Sequence, residues 1–373
     1  MEVVISGTGL FTPRESISNV ELVESFNAYV DSFNIDNQKE IAEGKLDALT
    51  HSNVEFIEKA SGIKTRYVLN KSGILDIQRM KPKLKSRNNE ELSVLAEIAI
   101  LAGQEAIKDA NLDNKNIDAV ICGCANLQRA YPAVAIEIQK GLDIDGYAYD
   151  MNVACSSATF AIQNAVNDII SGVATRVLVV NPEICTGHLN FRDKDAHFIF
   201  GDASTAIVLE KKELSKAENI YQILGTKLKT KFSNNIRNNF GFLNIPEDSN
   251  PEDSDKLFKQ NGRSVFKEVV PLVESMIKEH LEEVKIPIEQ VSRFWLHQAN
   301  QNMNELIAKR LLNHDINQDK MPIILDEYAN TSSAGSIIAF HKFNKDLNQG
   351  SIGVICSFGA GYSVGSIIVK KIV

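Results

Sequence analysis

Residues 150–158 read Asp-Met-Asn-Val-Ala-Cys-Ser-Ser-Ala, and residues 326–334 read Asp-Glu-Tyr-Ala-Asn-Thr-Ser-Ser-Ala. The first Asp, the Ser-Ser pair and the final Ala recur in the same register, at an offset of 176 positions (150 to 326). Repetition at a fixed offset is typical of an internally repeated fold.

Three further matches occur in the same order. They are Cys124–Asn126 with Gln298–Asn300, Val177–Val180 with Gly353–Cys356, and Ala206–Lys212 with Ser366–Ile372. The last match has an offset of 160 (206 to 366), so the first half carries 16 additional residues (176 less 160), near Gly187–Asp202. Several matches in one order favour a duplication over chance similarity between two α/β segments, and they predict halves at residues 1–215 and 216–373.

Short apolar, β-branched runs alternate along the chain with longer amphipathic patterns. The runs, which suit strands buried on both faces, are Val3–Gly7, Ala119–Cys122, Val177–Val180, Ala206–Leu209, Phe294–Leu296, Gly353–Cys356 and Ser366–Val369. The helical patterns are Val20–Phe33, Leu92–Ala110, Ser156–Ser171, Gly262–Val284 and Asn302–Leu312. This alternation predicts an α/β fold in which helices cover a mixed sheet.

Two polar, charge-rich stretches, Asp31–Asn53 and Leu69–Asn89, do not fit a compact α/β half. We interpret them as surface insertions, or as a lid over a pocket. For most of their charges a solvated loop is the simpler interpretation.

Composition limits the class of protein. The chain has 373 residues, of which 44% are hydrophobic and 24% charged, as in ordinary globular proteins. A net charge of −8 argues against nucleic acid as a partner. Five cysteines, none at zinc spacing, suggest reduced thiols in the cytoplasm. We find no signal peptide, no apolar run of the ~18 residues that a membrane span needs, no dinucleotide fingerprint and no P-loop. We therefore expect neither a cofactor nor a metal.

Cys155 is the first candidate for chemistry. Small residues precede it and a helical pattern follows, which places the thiol at a strand-to-helix turn. The helix N-terminus and its free N–H groups favour the thiolate, which is the reactive form. A lone Cys is more often structural, and Cys122, Cys124 and Cys356, in strand patterns, suit that interpretation.

His297 and Asn330 are the next candidates. His297 ends an apolar strand and opens a polar run, and Asn330 lies in the turn that the repeat matches to the Cys155 turn. A duplication would bring a thiol, an imidazole and an amide together, although either residue alone is a weak signal. In Gly359-Ala360-Gly361, one backbone N–H could join that of Cys155 in an oxyanion hole, or the glycines could simply form a tight turn.

Four ordered motifs carry a resemblance that covers nearly the whole chain. Val153-Ala-Cys155-Ser-Ser, His297-Gln-Ala-Asn300, Asn330-Thr-Ser-Ser and Phe358-Gly-Ala-Gly361 resemble those of the β-ketoacyl-acyl-carrier-protein synthase III family, which has the thiolase fold. The insertions and Gly187-His-Leu-Asn-Phe-Arg-Asp193 are similar to those of its β-ketodecanoyl-acyl-carrier-protein synthase subgroup. The resemblance implies two pseudo-symmetric α/β halves in five layers, α-β-α-β-α, and a homodimer.

The resemblance also implies a decarboxylating condensation. Cys155 would take the acyl group from a medium-chain acyl-CoA of about eight carbons, and malonyl-acyl-carrier protein would follow. His297 and Asn330 would then stabilise the enolate left by loss of carbon dioxide, and the N–H groups of Cys155 and Ala360 would hold the oxyanion. General chemistry supports a covalent intermediate, because a thioester on the protein divides one difficult step into two easier steps. A neutral His297 with a depressed pKa would suit the donor role.

Other positions carry over from the family. Tyr131 matches an aromatic that crosses the dimer interface to the acyl pocket of the other subunit, and Phe358 matches an aromatic beside the nucleophile. The positions that match contacts with CoA or the carrier protein are Phe56, Asn300, Lys267, Lys309 and Arg310. The chain departs from the family at Ala60 and Asn302, where arginine is common, which puts the usual contacts in doubt.

Other functions stay open from the sequence. An acetyl-CoA-primed ketoacyl synthase III or a polyketide starter enzyme would share this fold. A cysteine hydrolase acting on acyl thioesters could use the same Cys, His and Asn set. A non-catalytic acyl-binding protein would not need all three side chains.

Overall fold

The computed structural model describes residues 2–250, 253–312 and 318–373. Its strands are β1 (Val3–Phe11), β2 (Glu15–Ser18), β3 (Thr65–Val68), β4 (Ala119–Gly123), β5 (Tyr147–Met151), β6 (Arg176–Ile184), β7 (Asp202–Lys211), β8 (Tyr221–Ser233), β9 (Ile236–Arg237), β10 (Lys259–Gln260), β11 (Val291–Leu296), β12 (Ile352–Gly359) and β13 (Gly361–Lys371). Its α-helices are α1 (Asn19–Asp36), α2 (Gln38–Ala42), α3 (Val54–Ser61), α4 (Lys71–Leu75), α5 (Val94–Asp109), α6 (Val134–Gly141), α7 (Ser157–Ser171), α8 (Gly262–Glu283), α9 (Gln301–Leu312), α10 (Leu325–Tyr328) and α11 (Gly335–Lys342).

Nine strands form one mixed sheet in the order β11-β12-β13-β8-β1-β7-β6-β4-β5. The same pairing occurs twice in it. β4 is parallel to β6, β6 is antiparallel to β7, and β7 to β1; likewise β11 is parallel to β12, β12 is antiparallel to β13, and β13 to β8. A short antiparallel contact between β1 and β8 joins the two sets. A duplication with a boundary near residue 215 stays a prediction, and that position falls between β7 and β8.

Three apolar clusters separate the layers of the molecule. One lies between helices α5 and α6 and the first set of strands, and another lies between the second set and helices α8 and α9. The cluster between them is built on α7 and α11, and α7 contacts strands of both sets. The order is therefore α-β-α-β-α, which confirms the predicted five-layered α/β architecture.

The seven predicted strands all lie within observed strands, and the five predicted helices match α1, α5, α7, α8 and α9. Helix α1 begins where its sequence indicates, because Ser18 and Glu21 form a capping box. Strands β5 and β8 were not predicted, since both mix polar and aromatic residues instead of forming an apolar run. Among the described residues, no helix is long and apolar enough to cross a membrane.

The connection between β6 and β7 is much longer than the matching connection between β12 and β13. Only Ala360 separates β12 from β13, whereas residues 185–201 connect β6 to β7. This long connection is the predicted additional segment near Gly187–Asp202.

Candidate active site

A cavity of about 410 Å³ leads from the surface to the sulfur of Cys155. Its lining includes all three predicted catalytic side chains, Cys155, His297 and Asn330, and the predicted Phe56, Asn300 and Phe358. Its apolar wall is formed chiefly by Phe198, Ile199, Phe200, Ile236, Phe258, Val265, Phe266 and Val269. A mostly apolar cleft with a few convergent polar groups is the usual form of a small-molecule site.

Cys155 lies in the turn between β5 and α7, as the sequence predicted. Ala154, directly before it, has a φ of 47°, which is the left-handed region that few non-glycine residues adopt. The hydroxyl of Ser156, directly after it, donates to the carbonyl of Ser363 on β13 at 3.0 Å. Both halves of the chain therefore fix the position of the sulfur.

Burial raises the pKa of the Cys155 thiol to about 11. Hydrogen bonds act against burial: they come from the Ser332 hydroxyl, 3.6 Å from the sulfur, and from the backbone N–H groups of Cys155 and Ala360. We expected the helix N-terminus to favour the thiolate, but removal from water has the larger effect. The resting thiol is therefore protonated near neutral pH.

His297 follows the last residue of β11 and is only 2% exposed. Burial lowers the pKa of its imidazole to about 3, so the ring is neutral, as its predicted role requires. The ring packs edge-on against Phe358, with centroids 5.3 Å apart. Its Nδ1 atom is buried and has no hydrogen-bond partner in the described part of the chain.

Hydrogen bonds of both its backbone and its side chain fix the position of Asn330. Its N–H donates to Ile199 at 3.0 Å, and its carbonyl accepts from Gly201 at 3.1 Å. Its side-chain Oδ1 accepts from the N–H of Ser332 at 2.9 Å. The Nδ2 amide group is therefore the end of the side chain that can donate within the cavity.

Phe56 and Asn300 lie at the mouth, on α3 and just before α9. The Asn300 amide donates to the carbonyl of Ala60 at 2.7 Å, and the Asn302 amide donates to that of Lys59 at 3.2 Å. The two positions at which this chain departs from the family, Ala60 and Asn302, are thus neighbours. Here the amides tie α3 to α9, and no arginine stands at either position.

Four predicted binding residues lie away from the cavity. The ring of Tyr131 is 81% exposed and does not line the described cavity, so its expected place in the acyl pocket of the other subunit stays a prediction. Lys267 and Lys309 point outward from α8 and α9, because the other faces of these helices pack on the core. Arg310 pairs with Glu274 at 3.3 Å.

The cavity also contains residues that the sequence did not single out. Arg263 lies in its lining one helical turn before Lys267. Phe198 and Phe200 come from the long β6–β7 connection, whose extra length was the one available signal. Among the described lining residues, none comes from Asp31–Asn53 or Leu69–Asn89, so the interpretation of those stretches as a lid stays a prediction.

The chain is similar to known proteins over nearly its whole length. Residues 149–231 match the family "3-Oxoacyl-[acyl-carrier-protein (ACP)] synthase III", and residues 281–371 match its C-terminal family. A Pseudomonas aeruginosa protein, "Beta-ketodecanoyl-[acyl-carrier-protein] synthase", is 57% identical over 349 residues, which are 94% of this chain and 100% of that one.

Solved structures are similar as well. The 3-oxoacyl-[acyl-carrier-protein] synthase III of Aquifex aeolicus has a TM-score of 0.76 at 25% identity, covering 99% of each chain. A Xanthomonas campestris protein, OleA, solved with bound lauric acid and lauroyl-CoA, has a TM-score of 0.75 at 15% identity, which shows a common fold alone. It covers 99% of this chain and of that one.

Proposed function

This chain belongs to the 3-oxoacyl-[acyl-carrier-protein] synthase III family, and from that premise we propose that it joins a medium-chain acyl-CoA to malonyl-acyl-carrier protein in fatty acid biosynthesis. The observation that carries this proposal is the 57% identity to the Pseudomonas β-ketodecanoyl synthase. A ten-carbon β-keto product needs an eight-carbon starter, because malonyl keeps two carbons after losing carbon dioxide. Octanoyl-CoA is therefore the expected starter.

In the first half-reaction, the sulfur of Cys155 attacks the thioester carbonyl of the acyl-CoA. The carbonyl oxygen becomes an oxyanion, and the N–H groups of Cys155 and Ala360, which already contact the sulfur, are the donors available to it. Collapse of this intermediate releases the CoA thiol and leaves the acyl group on Cys155. The apolar wall of Phe198, Phe200 and Phe258 then shields the thioester from water.

In the second half-reaction, malonyl-acyl-carrier protein places its thioester oxygen between His297 and Asn330. Loss of carbon dioxide makes this oxygen an enolate, so donors fixed here lower the barrier. A neutral imidazole donates one N–H, and the free Nδ2 group of Asn330 supplies another. The enolate carbon attacks the acyl carbonyl, and Cys155 leaves with the electrons of its carbon–sulfur bond.

The working unit of this proposal is a homodimer. Strand β5 is an edge of the nine-stranded sheet and leads directly to Cys155. An unpaired edge strand is a template for pairing with a second chain. The exposed Tyr131 precedes α6, which packs against β5, so pairing at this edge would bring Tyr131 close to the other subunit.

Carrier-protein docking is proposed for the exposed faces of α8 and α9, which carry Lys267, Lys309 and Arg310, with Arg263 in the cavity lining. A local basic surface lets a chain of net charge −8 bind an acidic partner. Arg310 would have to exchange its pairing with Glu274 for one with the carrier. The cytoplasmic location inferred from the sequence stays a prediction.

One experiment tests the function. The protein is incubated with acetyl-, butyryl-, octanoyl- and dodecanoyl-CoA, and the mass of the intact chain shows which acyl group it carries. Malonyl-acyl-carrier protein is then added, and we expect the label to leave as a β-ketoacyl-carrier product. Release of free acid without a malonyl donor would instead indicate a hydrolase.

A further inference from the structure

A carboxyl group that the mechanism above does not use lies behind the active site. Glu183, on β6, is 0% exposed. Its Oε1 accepts from the N–H of Ala125 at 3.0 Å and from the N–H of Ser333 at 3.3 Å. The Ser333 hydroxyl also donates to it. The thiol of Cys124 donates to Oε2 at 3.8 Å, which makes four hydrogen bonds. A buried carboxyl that accepts four hydrogen bonds but has no cation among its described contacts needs an explanation.

Ser332 connects this carboxyl to the nucleophile. Its hydroxyl donates to the Cys155 sulfur at 3.6 Å, and it also lies close enough to Glu183 for hydrogen bonding to lower the pKa of that carboxyl. The residue adopts a φ of 50°, a conformation that costs a non-glycine residue free energy. The hydroxyl donates to the sulfur as described, but a hydroxyl proton rotates freely, so Ser332 can turn to donate to Glu183 and accept the proton of the thiol.

The first half-reaction needs a place for the thiol proton. Cys155 is protonated at rest, and His297, with a pKa of about 3, holds a proton poorly. Burial raises the pKa of Glu183 to about 7, where a group can both take and return a proton near neutral pH. The titratable groups that face this carboxyl are thiols: Cys155 itself, and Cys122, Cys124 and Cys185, whose pKa values burial raises further.

We propose that Glu183, acting through the hydroxyl of Ser332, stores the proton of Cys155 during acyl transfer and returns it to the departing CoA sulfur. As the sulfur bonds to the acyl carbon, its proton passes to Ser332 Oγ and the Ser332 proton passes to Glu183. When the bond from carbon to the CoA sulfur breaks, Glu183 returns its proton to Ser332 Oγ, and the Ser332 hydroxyl gives a proton to the CoA sulfur. No other reactant is consumed. The inference rests on the proposed acyl-transfer function.

The test compares two acyl donors that differ only in the leaving thiol. Acyl-CoA leaves as an alkyl thiolate and gains from protonation, whereas the matching thiophenyl ester leaves as a stable aryl thiolate and does not. We expect Glu183→Gln to slow single-turnover loading from acyl-CoA by about 10²-fold, the usual scale of acid–base catalysis. Loading from the thiophenyl ester should change by less than about tenfold.

Ser332→Ala gives an independent test, because it breaks the connection and keeps the carboxyl. The same dependence on the leaving thiol is expected, and the double variant should be no slower than the slower single variant, since the two groups act as one unit. Ser333→Ala is the matched control. It removes a hydroxyl from Glu183 without touching the path to Cys155, so its slowing should be alike for both donors.

Each outcome has one meaning. If the unaltered protein loads from neither donor, the proposed function fails and the relay fails with it. If it loads from both, and Glu183→Gln and Ser332→Ala slow both donors equally or neither, the relay alone is wrong. Should Glu183→Gln fail to fold, as judged by circular dichroism, the Ser332→Ala comparison decides.

Discussion

The backbone N–H of Ser332 donates to Oδ1 of Asn330 at 2.9 Å, and this bond determines which end of the Asn330 amide faces the reacting groups. We expect Asn330→Asp to keep the shape of the side chain and to lose its only free donor. His297→Ala should remove the other donor.

Both variants should still load Cys155 from acyl-CoA but decarboxylate malonyl-acyl-carrier protein about 10²–10³-fold more slowly. Variants that failed to load but still decarboxylated would reverse the two roles.

Cys155→Ser should abolish acyl loading. A serine hydroxyl is far less acidic than a thiol, and burial that already raises the pKa of the thiol to about 11 would disfavour an alkoxide further. Intact-mass measurement with octanoyl-CoA checks this. A variant that loads normally, with the acyl group mapped to another residue, would overturn the assignment of the nucleophile.

Gly359→Ala should slow loading about 10²-fold for a geometric reason. A Cβ atom at Gly359 would lie 2.6 Å from Cβ of Cys155 and 3.1 Å from its sulfur, closer than real contacts allow. The nucleophile or β12 must move, and misplacement of about 1 Å at a reacting group can cost 10²-fold in rate. Gly241→Ala is the control, since an added Cβ there meets no atom within 4 Å. Equal loading by both variants would contradict the geometry.

Decarboxylation should not respond to the ionisation of His297 between about pH 5 and pH 8. Burial lowers its pKa to about 3, so the imidazole stays neutral throughout that range and loses its donor role only in stronger acid. The rate of carbon dioxide release from malonyl-carrier protein, measured with pre-acylated protein, tests this. An inflection near pH 6.5 that disappears in His297→Gln would show that the imidazole is not buried as described.

Octanoyl-CoA should outcompete shorter starters. Each methylene buried against the apolar wall contributes roughly 0.8 kcal/mol, so the four that separate butyryl from octanoyl favour the longer chain by at most about 3 kcal/mol. The measurement is a competition between equal amounts of acetyl-, butyryl-, octanoyl- and dodecanoyl-CoA with limiting malonyl-carrier protein. A dominant acetoacetyl product would refute the medium-chain assignment and leave the family assignment intact.

The protein should work as a dimer in which Tyr131 serves the other subunit. In a mixed dimer of Tyr131→Ala and Cys155→Ser chains, the one remaining Cys155 lies in the Tyr131→Ala chain. If Tyr131 acts across the interface, that site keeps its tyrosine and its normal chain-length preference. An altered preference, or a fully active monomer in sedimentation, would rule this out.

The internal repeat is why so much of the site could be predicted. Matching the Cys155 turn to the Asn330 turn indicated that the two would meet, and the structure brings both to one cavity with His297. The elements with clear periodicity were predicted for the same reason. The hydrophobic pattern was sufficient to predict an element wherever that pattern also determined which of its residues are buried.

The other features of the site depend on contacts between distant parts of the chain or between two chains, which local sequence does not show. The raised pKa of Cys155 comes from burial by distant segments, and Tyr131 can be understood only with a second chain. Glu183 gave one signal that we did not use, a carboxylate within the otherwise largely apolar strand β6. Phe198 and Phe200 belong to a connection whose length has no counterpart in the second half. The repeat therefore could not predict where these two residues lie.

The connections after β6 and β12 differ in length, and they differ in how much sequence change each can tolerate. Only Ala360 joins β12 to β13, and its N–H lies at the sulfur, so a change of length there would remove a reacting group's donor. The connection of residues 185–201 forms part of the pocket wall and places no backbone donor at the sulfur among its described contacts. Descendants of such a protein can therefore acquire new acyl substrates by altering one loop, while the chemistry at Cys155 is inherited unchanged.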